Sequence, residues 1–307
     1  MNRSALATAR PDARAKRRAL RAWLSSGRLM RMPGAFSPLV AMAVERAGFE
    51  GVYVSGAALA ADLGLPDVGL TTLTEVAGRG AQIARATALP TLIDADTGFG
   101  GPMNVARTVQ ALEDAGLAGC HLEDQENPKR CGHLDHKTLV DEQTMTRRIR
   151  AAVDARRDPD FVICARSDAR ASEGLEATVR RLRRYVDAGA DMVFPEALAG
   201  AHEFAAVRAA VDAPLLANMT EFGKSELLEV AALEAAGVSV VIYPVTTLRL
   251  AMGAVERGLE AIAADGTQAA LVGQMQTRSR LYELLGYAEY AAFDADVFNF
   301  TLTGSGR

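Results

Sequence analysis

Short apolar runs alternate with longer amphipathic stretches along most of this 307-residue chain. The apolar runs are continuous, which is typical of parallel strands that are covered on both faces. Eight of these runs predict strands at residues 29–35, 51–55, 91–96, 119–124, 161–168, 192–196, 215–220 and 238–243. Apolar positions at helical spacing predict intervening helices at residues 38–47, 73–86, 103–115, 145–155, 175–188, 202–211 and 225–236.

This alternation predicts an α/β protein with the fold of a (β/α)8 TIM barrel. Several predicted helices end in Ala-Gly, as at Ala47-Gly48 and Ala115-Gly116. Glycine accepts the left-handed conformation that ends a helix, so these helix ends are clearly marked. A doubly wound open sheet is the alternative fold. The chain lacks the Gly-x-Gly-x-x-Gly and Gly-x-x-x-x-Gly-Lys-Ser/Thr motifs by which such a sheet would hold a nucleotide.

No linker or change in composition divides the chain, so we predict a single domain over residues 1–307. Within it, residues 1–28 are predicted to form an N-terminal helical segment and residues 29–264 the barrel. Residues 265–307 continue with helical patterns beyond the eighth strand–helix unit. We therefore expect a C-terminal helical extension, which a bare barrel does not need.

The N-terminal segment carries a helical pattern with Leu20, Trp23 and Leu24 on one face. An apolar face of this kind predicts a surface helix that closes one end of the barrel. The segment is also rich in arginine, with Asp12 as its one acid, which resembles a transit peptide. The apolar face, which leads directly into the first strand, favours the closing helix.

Overall composition excludes several classes of function. The formal net charge of −4 gives no general reason to expect binding to nucleic acid or membranes, and no apolar run is long enough to span a bilayer. Three cysteines form neither an even disulfide framework nor a Cys-x-x-Cys metal motif. A reducing cytoplasm is therefore the expected setting.

One cysteine stands in a basic stretch after the fourth predicted strand. Cys131 is preceded by Lys129 and Arg130 and followed by Gly132 and His133. Nearby cations favour a thiolate, so this thiol is expected to hold or release a proton near neutral pH. The alternative is a solvated basic turn with an incidental cysteine.

Two carboxylates end the third predicted strand. Residues two apart on a strand point to the same side, so Asp94 and Asp96 are expected to face one cavity. Such carboxylates repel each other unless a cation or proton lies between them. Hard oxygen ligands suit Mg²⁺, with Mn²⁺ as the alternative. Turn formation or helix capping by these aspartates is the competing interpretation.

Polar side chains also follow the other predicted strands, at the end where a barrel carries its chemistry. They are Tyr53, Ser55, His121, Glu123, Arg166, Asp168, Glu196, Asn218, Thr220 and Tyr243, with Arg249 in the next helical region. Arg166 is predicted to bind a carboxylate of the ligand, because a guanidinium can hold a carboxylate with two hydrogen bonds. Asn218, Thr220 and Arg249 can hold a second carboxylate. Each residue also has a structural alternative, and His121 alone is more typical of a satisfied core histidine.

A divalent cation can stabilise negative charge on the oxygen of a hydroxy or keto acid, and a thiol can then move a proton at carbon. This combination of residues indicates reversible carbon–carbon cleavage of a polycarboxylate. A metal-dependent barrel that binds dicarboxylates without turnover is the alternative from a different class. A binding protein has no need of an acid–base thiol, which favours the enzyme.

The sequence resembles the isocitrate lyase and phosphoenolpyruvate mutase superfamily from about Leu29 to the C-terminus. The stretches that carry the resemblance are Tyr53-Val54-Ser55-Gly56, Asp94-Ala95-Asp96-Thr97-Gly98-Phe99-Gly100, Glu123-Asp124-Gln125, Lys129-Arg130-Cys131-Gly132-His133, Ala165-Arg166-Ser167-Asp168, Phe194-Pro195-Glu196-Ala197, Asn218-Met219-Thr220-Glu221-Phe222 and Gln276-Thr277-Arg278. The Lys-Arg-Cys-Gly-His stretch is specific to the lyase branch of that superfamily. The resemblance implies a TIM barrel that cleaves 2-methylisocitrate to pyruvate and succinate in the methylcitrate cycle of propionate catabolism.

The same resemblance implies roles for individual residues. It assigns Mg²⁺ to Asp94 and Asp96, with Glu123 nearby, and proton donation to the succinate carbanion to Cys131, with Gly132 and His133 beside it. Tyr53 is implied as a candidate base for the hydroxyl group. The residues implied to bind substrate are Ser55, Gly56, Ala57 and Arg166 on the pyruvate side, and Glu196, Asn218, Thr220, Arg249 and Arg278 on the succinate side.

The resemblance further implies a homotetramer, built as two dimers that exchange a C-terminal helix, with a small tricarboxylate as substrate. Two departures from the family pattern stand out: Ala57 replaces a glycine found in some relatives, and residues 134–136 form a variable stretch. Isocitrate lyases proper carry large insertions that are lacking here, which favours the methylisocitrate branch. Isocitrate, dimethylmalate or a related malate remain the alternative substrates, and a phosphonate mutase is disfavoured because that branch lacks the cysteine motif.

Overall fold

The computed structural model describes residues 12–130, 132 and 137–299. These residues form two compact units, of which the first covers residues 12–251 and the second residues 252–299. The first unit contains all the strands of the described chain and, with them, the polar residues at their carboxyl ends. The predicted domain boundaries at residues 28 and 264 stay predictions.

Eight short parallel strands form the centre of the first unit. They are β1 (Met30–Pro33), β2 (Val52–Val54), β3 (Thr91–Asp94), β4 (Gly119–Glu123), β5 (Val162–Ser167), β6 (Met192–Pro195), β7 (Leu216–Asn218) and β8 (Val240–Tyr243). Strands β2 to β6 form one sheet in sequence order, and β1, β8 and β7 form a second. Every strand pair is parallel.

Single backbone bridges join the two sheets into a ring. Gly34 bridges to Tyr53 between β1 and β2, and Val193 bridges to Leu215 between β6 and β7. The Ala35 N–H donates to the Tyr53 carbonyl at 2.8 Å, and the Val193 N–H donates to the Pro214 carbonyl at 2.9 Å. The eight strands therefore close in sequence order, which confirms the (β/α)8 barrel and excludes an open doubly wound sheet.

One helix precedes the first strand, and the other described helices follow strands. The helices beginning in the first unit are α1 (Ala13–Leu24), α2 (Pro38–Arg46), α3 (Gly56–Asp62), α4 (Leu73–Ala86), α5 (Pro102–Asp114), α6 (Glu142–Ala155), α7 (Leu175–Asp187), α8 (Ala201–Ala210), α9 (Val230–Ala235) and α10 (Thr246–Asp265). The second unit adds α11 (Arg278–Leu285) and α12 (Tyr287–Phe298), after the second part of α10. None of the described helices is long and apolar enough to cross a membrane.

Two apolar layers account for the packing of the first unit. The larger one lies between the sheet and the helices, and the smaller one fills the inside of the barrel. Leu20 of α1 is fully buried against the inner layer, with Trp23 and Leu24 packed beside it. The N-terminal helix therefore covers the interior of the barrel, as its apolar face predicts. Burying a leucine in this way stabilises the fold by roughly 1.5–3 kcal/mol.

Local differences from the predicted elements have tertiary causes. Helix α3 was not predicted, and it begins where the Ser55 hydroxyl accepts a hydrogen bond from the Ala58 N–H at 3.3 Å. Helix α9 begins five residues later than predicted. The Glu226 N–H instead donates to the Ala199 carbonyl at 3.0 Å, and the Leu228 N–H to the Met219 sulfur at 3.3 Å. These tertiary bonds hold the backbone of this stretch against the ends of neighbouring elements, and the helix begins after it.

Candidate active site

A cavity of about 440 Å³ opens at the carboxyl ends of the strands. Its lining includes the predicted site residues Tyr53, Ser55, Ala57, Asp94, Gly132, Arg166, Glu196, Asn218, Thr220 and Arg249. Side chains that are far apart in the sequence therefore meet at the end of the barrel where this fold carries its chemistry. The cavity also has apolar walls, to which Leu65, Phe194 and Phe222 contribute.

Asp94 and Asp96 lie together, although the strand parity predicted for them is wrong. Strand β3 ends at Asp94, and Asp96 lies beyond it in the left-handed region with φ 46°. The Asp96 N–H donates to Asp94 Oδ1 at 2.9 Å, so a turn and not a strand brings the two carboxylates side by side. Aspartate tolerates this conformation better than most residues.

Lys129 neutralises part of this acidic cluster. Its ammonium lies 2.9 Å from Asp96 Oδ1 and forms a second ion pair with Asp67. Burial raises the pKa of Asp96 to about 6, and the nearby Asp94 adds to the rise while Lys129 opposes it. Burial also favours a higher pKa for Asp94, but the charges of His121, Lys129 and Arg166 lower it overall. Asp94 is therefore ionised at neutral pH, whereas Asp96 takes up a proton closer to neutral pH than an ordinary aspartate does.

Tyr53 and His121 form a buried pair beneath the aspartates. The phenol oxygen lies 2.7 Å from Nε2 of His121, and the same nitrogen lies 3.6 Å from Asp94 Oδ1. Burial lowers the pKa of His121 to about 4 and raises the pKa of Tyr53 well above its ordinary value, with Asp94 adding to the latter. At neutral pH the pair is therefore a neutral imidazole and a protonated phenol, which favours Tyr53 as a hydrogen-bond donor over a base.

Arg166 occupies the centre of a second charged cluster. It donates two hydrogen bonds to Asp168, at 3.0 and 3.1 Å, and lies 3.4 Å from Glu123 and 3.6 Å from Glu196. Neither carboxylate oxygen of Glu123 accepts a hydrogen bond from the described residues. Burial raises the pKa of Glu123 well above its ordinary value, although Arg166 opposes the rise. Glu123 therefore has hydrogen-bonding capacity left for a ligand.

Gly132 lies against this cluster with no room for a side chain. A Cβ atom built on it would lie 2.3 Å from Arg166 Nη2 and 2.6 Å from Glu196 Cγ. The described backbone at Gly132 thus reaches the predicted substrate-binding residues. Cys131 and His133, the predicted proton donor and its neighbour, lie outside the described residues.

The predicted succinate side also comes together. The Asn218 amide donates to both oxygens of Glu196, at 3.3 and 3.4 Å. Arg249 donates to the Thr220 hydroxyl at 3.3 Å and to the Glu221 carboxylate at 2.7 Å. All of these residues line the cavity, and their role in binding the succinate half stays a prediction. Arg278 is exposed at the start of α11 in the second unit, and its predicted role stays a prediction.

The predicted pyruvate side begins at α3. The Gly56 N–H donates to Asp94 Oδ2 at 3.3 Å, and a Cβ on Gly56 would lie 2.8 Å from that oxygen. Ser55 caps α3 through its side chain, and both Ser55 and Ala57 line the cavity. The start of α3 therefore stands directly beside the aspartate pair, and only a glycine fits at the point of contact.

The donor set fits a divalent cation that is held partly by substrate and water. Within residues 12–130, 132 and 137–299, no three His, Cys, Asp or Glu side chains converge tightly enough to enclose a metal ion. Mg²⁺ usually takes one or two carboxylates and completes its octahedron with waters and substrate oxygens. Asp94 and Asp96 supply two carboxylates that are each 6% exposed, and a cation, the Lys129 ammonium, already lies against Asp96.

Three charged residues of these clusters were given no role of their own in the predicted site. Lys129 was predicted only as a neighbour of the cysteine, whereas its ammonium pairs with Asp96 and Asp67. Lys137 and Asp168 form a buried ion pair at 3.0 Å. Asp168 stands at a predicted strand end, which was a usable signal, but nothing local distinguishes Lys137 from a surface lysine.

Comparison with known proteins agrees with this geometry. Residues 20–263 match the family described as phosphoenolpyruvate phosphomutase. The chain belongs to this family. Over 286 residues it is 64% identical to "Probable 2-methylisocitrate lyase 2" of Corynebacterium glutamicum, which covers 93% of each chain. Over 269 residues it is 48% identical to "2-methylisocitrate lyase" of Halalkalibacterium halodurans, covering 88% of this chain and 89% of the relative.

Solved structures of the family share the fold. Oxaloacetate acetylhydrolase in complex with 3,3-difluorooxalacetate superposes with a TM-score of 0.88 at 34% identity, covering 95% of this chain and all of the other. A 2,3-dimethylmalate lyase, described as a member of the PEP mutase/isocitrate lyase superfamily, gives 0.86 at 34% identity over 97% and 99%. Phosphonopyruvate hydrolase in complex with oxalate and Mg²⁺ gives 0.84 at 32% identity over 92% and 99%.

Proposed function

We propose that this protein is a lyase that cleaves 2-methylisocitrate to pyruvate and succinate. The observation that carries the proposal is its likeness, along nearly the whole chain, to 2-methylisocitrate lyases. The cavity supports it because its lining includes Arg166, Asn218 and Arg249 together with carboxylates. A tricarboxylate needs positive and hydrogen-bonding groups of this kind on more than one side.

We propose Mg²⁺ as the cofactor, with Mn²⁺ able to replace it, held by Asp94 and Asp96. A bound divalent cation supplies positive charge that stabilises the negative oxygens of the substrate. Asp94 and Asp96 would hold that cation, and the Gly56 N–H keeps Asp94 oriented. One relative is described in complex with oxalate and Mg²⁺, which supports a divalent cation in this family.

In the proposed reaction, the hydroxyl of the substrate passes its proton to Glu123, whose carboxylate oxygens accept no hydrogen bond from the described residues, as the adjacent carbon–carbon bond breaks. The bonding electrons move onto the carbon of the succinate half, and the hydroxyl oxygen becomes the pyruvate carbonyl. Cys131 then gives a proton to the succinate carbanion, with His133 beside it. Arg166, Ser55, Gly56 and Ala57 hold the pyruvate half. Tyr53 stays protonated because its pKa is raised, and it acts as a hydrogen-bond donor to the substrate.

The proposal extends to the setting of the enzyme. We propose that it acts in the cytoplasm, in the methylcitrate cycle, as a homotetramer of helix-swapped dimers. Large apolar side chains of the second unit support an assembly, because Leu259, Val272, Tyr287 and Phe298 are all exposed within it. Exposed apolar groups in this number are typical of surfaces that bind protein. Light scattering coupled to gel filtration measures the assembly directly.

A side-by-side assay tests the activity. Purified protein with Mg²⁺ is given 2-methylisocitrate, isocitrate or 2,3-dimethylmalate, and proton NMR identifies the products. We expect pyruvate and succinate from 2-methylisocitrate at the highest kcat/KM. Excess chelator should abolish turnover, and added Mg²⁺ or Mn²⁺ should restore it. Preference for isocitrate, with glyoxylate as co-product, or for dimethylmalate would assign a different lyase, and full activity in chelator would overturn the metal.

A further inference from the structure

The backbone on one side of Cys131 is held by a buried amide. The Arg130 N–H donates to Gln125 Oε1 at 2.8 Å, and Gln125 Nε2 donates to the Arg130 carbonyl at 2.9 Å. Gln125 is 1% exposed and directly follows Asp124, which itself follows the last residue of β4. One side chain therefore satisfies both backbone groups of Arg130, as a neighbouring strand would.

The backbone on the other side of Cys131 is held by a buried ammonium. Lys137 Nζ donates to the Gly132 carbonyl and lies 3.0 Å from Asp168 Oδ1. The side chains of Lys137 and Asp168 are 2% and 0% exposed. A buried ammonium is costly unless it is paired and hydrogen-bonded, so these two acceptors keep Lys137 in place.

Asp168 is itself fixed to the barrel. It accepts two hydrogen bonds from Arg166, and its own N–H donates to Asp124 Oδ1 at 2.8 Å. The carboxylate thus cannot follow Lys137 without breaking bonds at the ends of β4 and β5. Lys137 therefore ties the Gly132 carbonyl to a fixed point of the barrel, while the Gly132 Cα lies against Arg166.

We propose that Gln125 and Lys137 are positioning residues, which fix the backbone of Arg130 and Gly132, the two chain neighbours of Cys131, against the barrel. Neither of them is among the described residues that line the cavity, whereas Gly132 and Arg166 are. They act through the backbone of Arg130 and Gly132 and not by contact with substrate. This inference rests on the proposed function, in which Cys131 gives a proton to the carbanion.

The proposal predicts a particular kinetic signature. Replacing Lys137 with methionine removes the tie to Gly132 but leaves both bonds from Arg166 to Asp168. Substrate binding should then persist while proton transfer becomes misaligned, and a displacement of about 1 Å can reduce a rate about 100-fold. We expect kcat to fall about 10- to 100-fold with KM changed less than about threefold. Gln125→Leu should lower kcat in the same way. The fall in kcat of the double variant should be smaller than the product of the two single-variant falls.

Rescue and control variants separate positioning from general stability. Lys137→Ala should regain turnover when n-propylammonium, which matches the missing part of the side chain, is added. The same amine should not rescue Gln125→Leu. Arg150→Met removes one positive charge from the exposed face of α6 and should leave kcat and Tm unchanged. If Lys137→Met fails to fold, Gln125→Glu decides, because it keeps the side-chain size but removes the donor to Arg130 O.

Hydrogen–deuterium exchange gives a readout that needs no turnover. The peptide covering residues 125–140 should exchange at least about tenfold faster in Lys137→Met and Gln125→Leu, while the peptide covering β5 stays unchanged. Wild-type protein that cleaves no 2-methylisocitrate would defeat the proposed function, and exchange would still test the anchors. Unchanged exchange, an unchanged kcat in the variants, or a raised KM with kcat intact would overturn the positioning role.

Discussion

The Tyr53 phenol and the His121 imidazole form a 2.7 Å hydrogen bond inside the barrel, with Asp94 3.6 Å from the same ring nitrogen. A pKa of about 4 keeps His121 neutral at pH 7, and a strongly raised pKa keeps Tyr53 protonated. Both side chains are therefore uncharged at pH 7, and the pair can act beside the aspartates through hydrogen bonding.

Tyr53→Phe keeps the ring and removes this donor. We expect kcat/KM for 2-methylisocitrate to fall about 100-fold, a typical loss for one positioned proton or hydrogen-bond donor. The shape of the pH–rate profile between pH 6 and 9 should stay as in the wild type, because Tyr53 does not titrate there. Disappearance of one limb of that profile would instead identify Tyr53 as the base.

Gly132→Ala places a methyl group where there is no space. The new Cβ would lie 2.3 Å from Arg166 Nη2 and 2.6 Å from Glu196 Cγ, so one of these must move. We expect kcat/KM to fall at least about 100-fold and stability by about 1–3 kcal/mol. Gly78→Ala is the matched control, since nothing lies within 4 Å of its added Cβ and the site is an exposed helix position. Native activity in Gly132→Ala would contradict the packing described.

Cys131→Ser tests the proposed proton donor. A hydroxyl has a much higher pKa than a thiol, so we expect turnover to fall about 10²- to 10⁴-fold. Tm and the affinity for succinate, measured by calorimetry, should stay close to wild type. A variant that keeps near-native turnover would remove Cys131 from the mechanism.

Arg278 is predicted to serve the active site of a partner chain in a helix-swapped dimer. Two inactive variants, Cys131→Ser and Arg278→Ala, are co-expressed with different tags. Random pairing makes about half of the dimers mixed, and each mixed dimer then has one intact site, so activity should recover to about a quarter of native. Mixed dimers isolated through both tags, yet no more active than either variant alone, would place Arg278 outside the partner's site.

Glu203 provides a pH-dependent contribution to stability away from the cavity. Burial alone would raise its pKa, but hydrogen bonds from Arg170 and from the Ala199 N–H lower it below the unfolded value. A lowered pKa stabilises the fold above about pH 4.5, and this contribution is lost as pH falls further. Glu203→Gln should therefore cost about 1 kcal/mol at pH 7, and the difference from wild type should shrink towards pH 4.

Urea unfolding at pH 7, 5 and 4 measures the effect of Glu203→Gln. The exposed Glu256 offers a matched control, since Glu256→Gln removes the same charge from a helix surface. A Glu203 variant that loses the same stability at every pH would show that shape, and not charge, supports this site.

Much of the architecture could be predicted from the order of apolar runs, because a parallel barrel requires strands buried on both faces. Boundaries were less predictable where polar residues at strand ends form turns. Asp96 illustrates this: two positions after Asp94, it was expected to continue the strand, yet it adopts a left-handed turn. The proximity of the two carboxylates was predicted, but for the wrong geometric reason.

Ion pairs between distant residues could not be predicted from local sequence. Lys129 pairs with Asp67, 62 positions away, and Lys137 pairs with Asp168, 31 positions away. Such contacts depend on which loops the barrel brings together, and no periodicity records that. The cavity residues were predictable because the fold itself gathers strand ends, whereas the residues that support them became visible only in three dimensions.

The residues proposed to hold the substrate come from both of the sheets that the two single bridges join. Asp94 and Arg166 belong to the five-stranded sheet, whereas Asn218 ends a strand of the three-stranded one. A tricarboxylate bound as proposed would contact residues of both sheets, and it would thereby add a connection between sheets that the backbone joins only by single bridges.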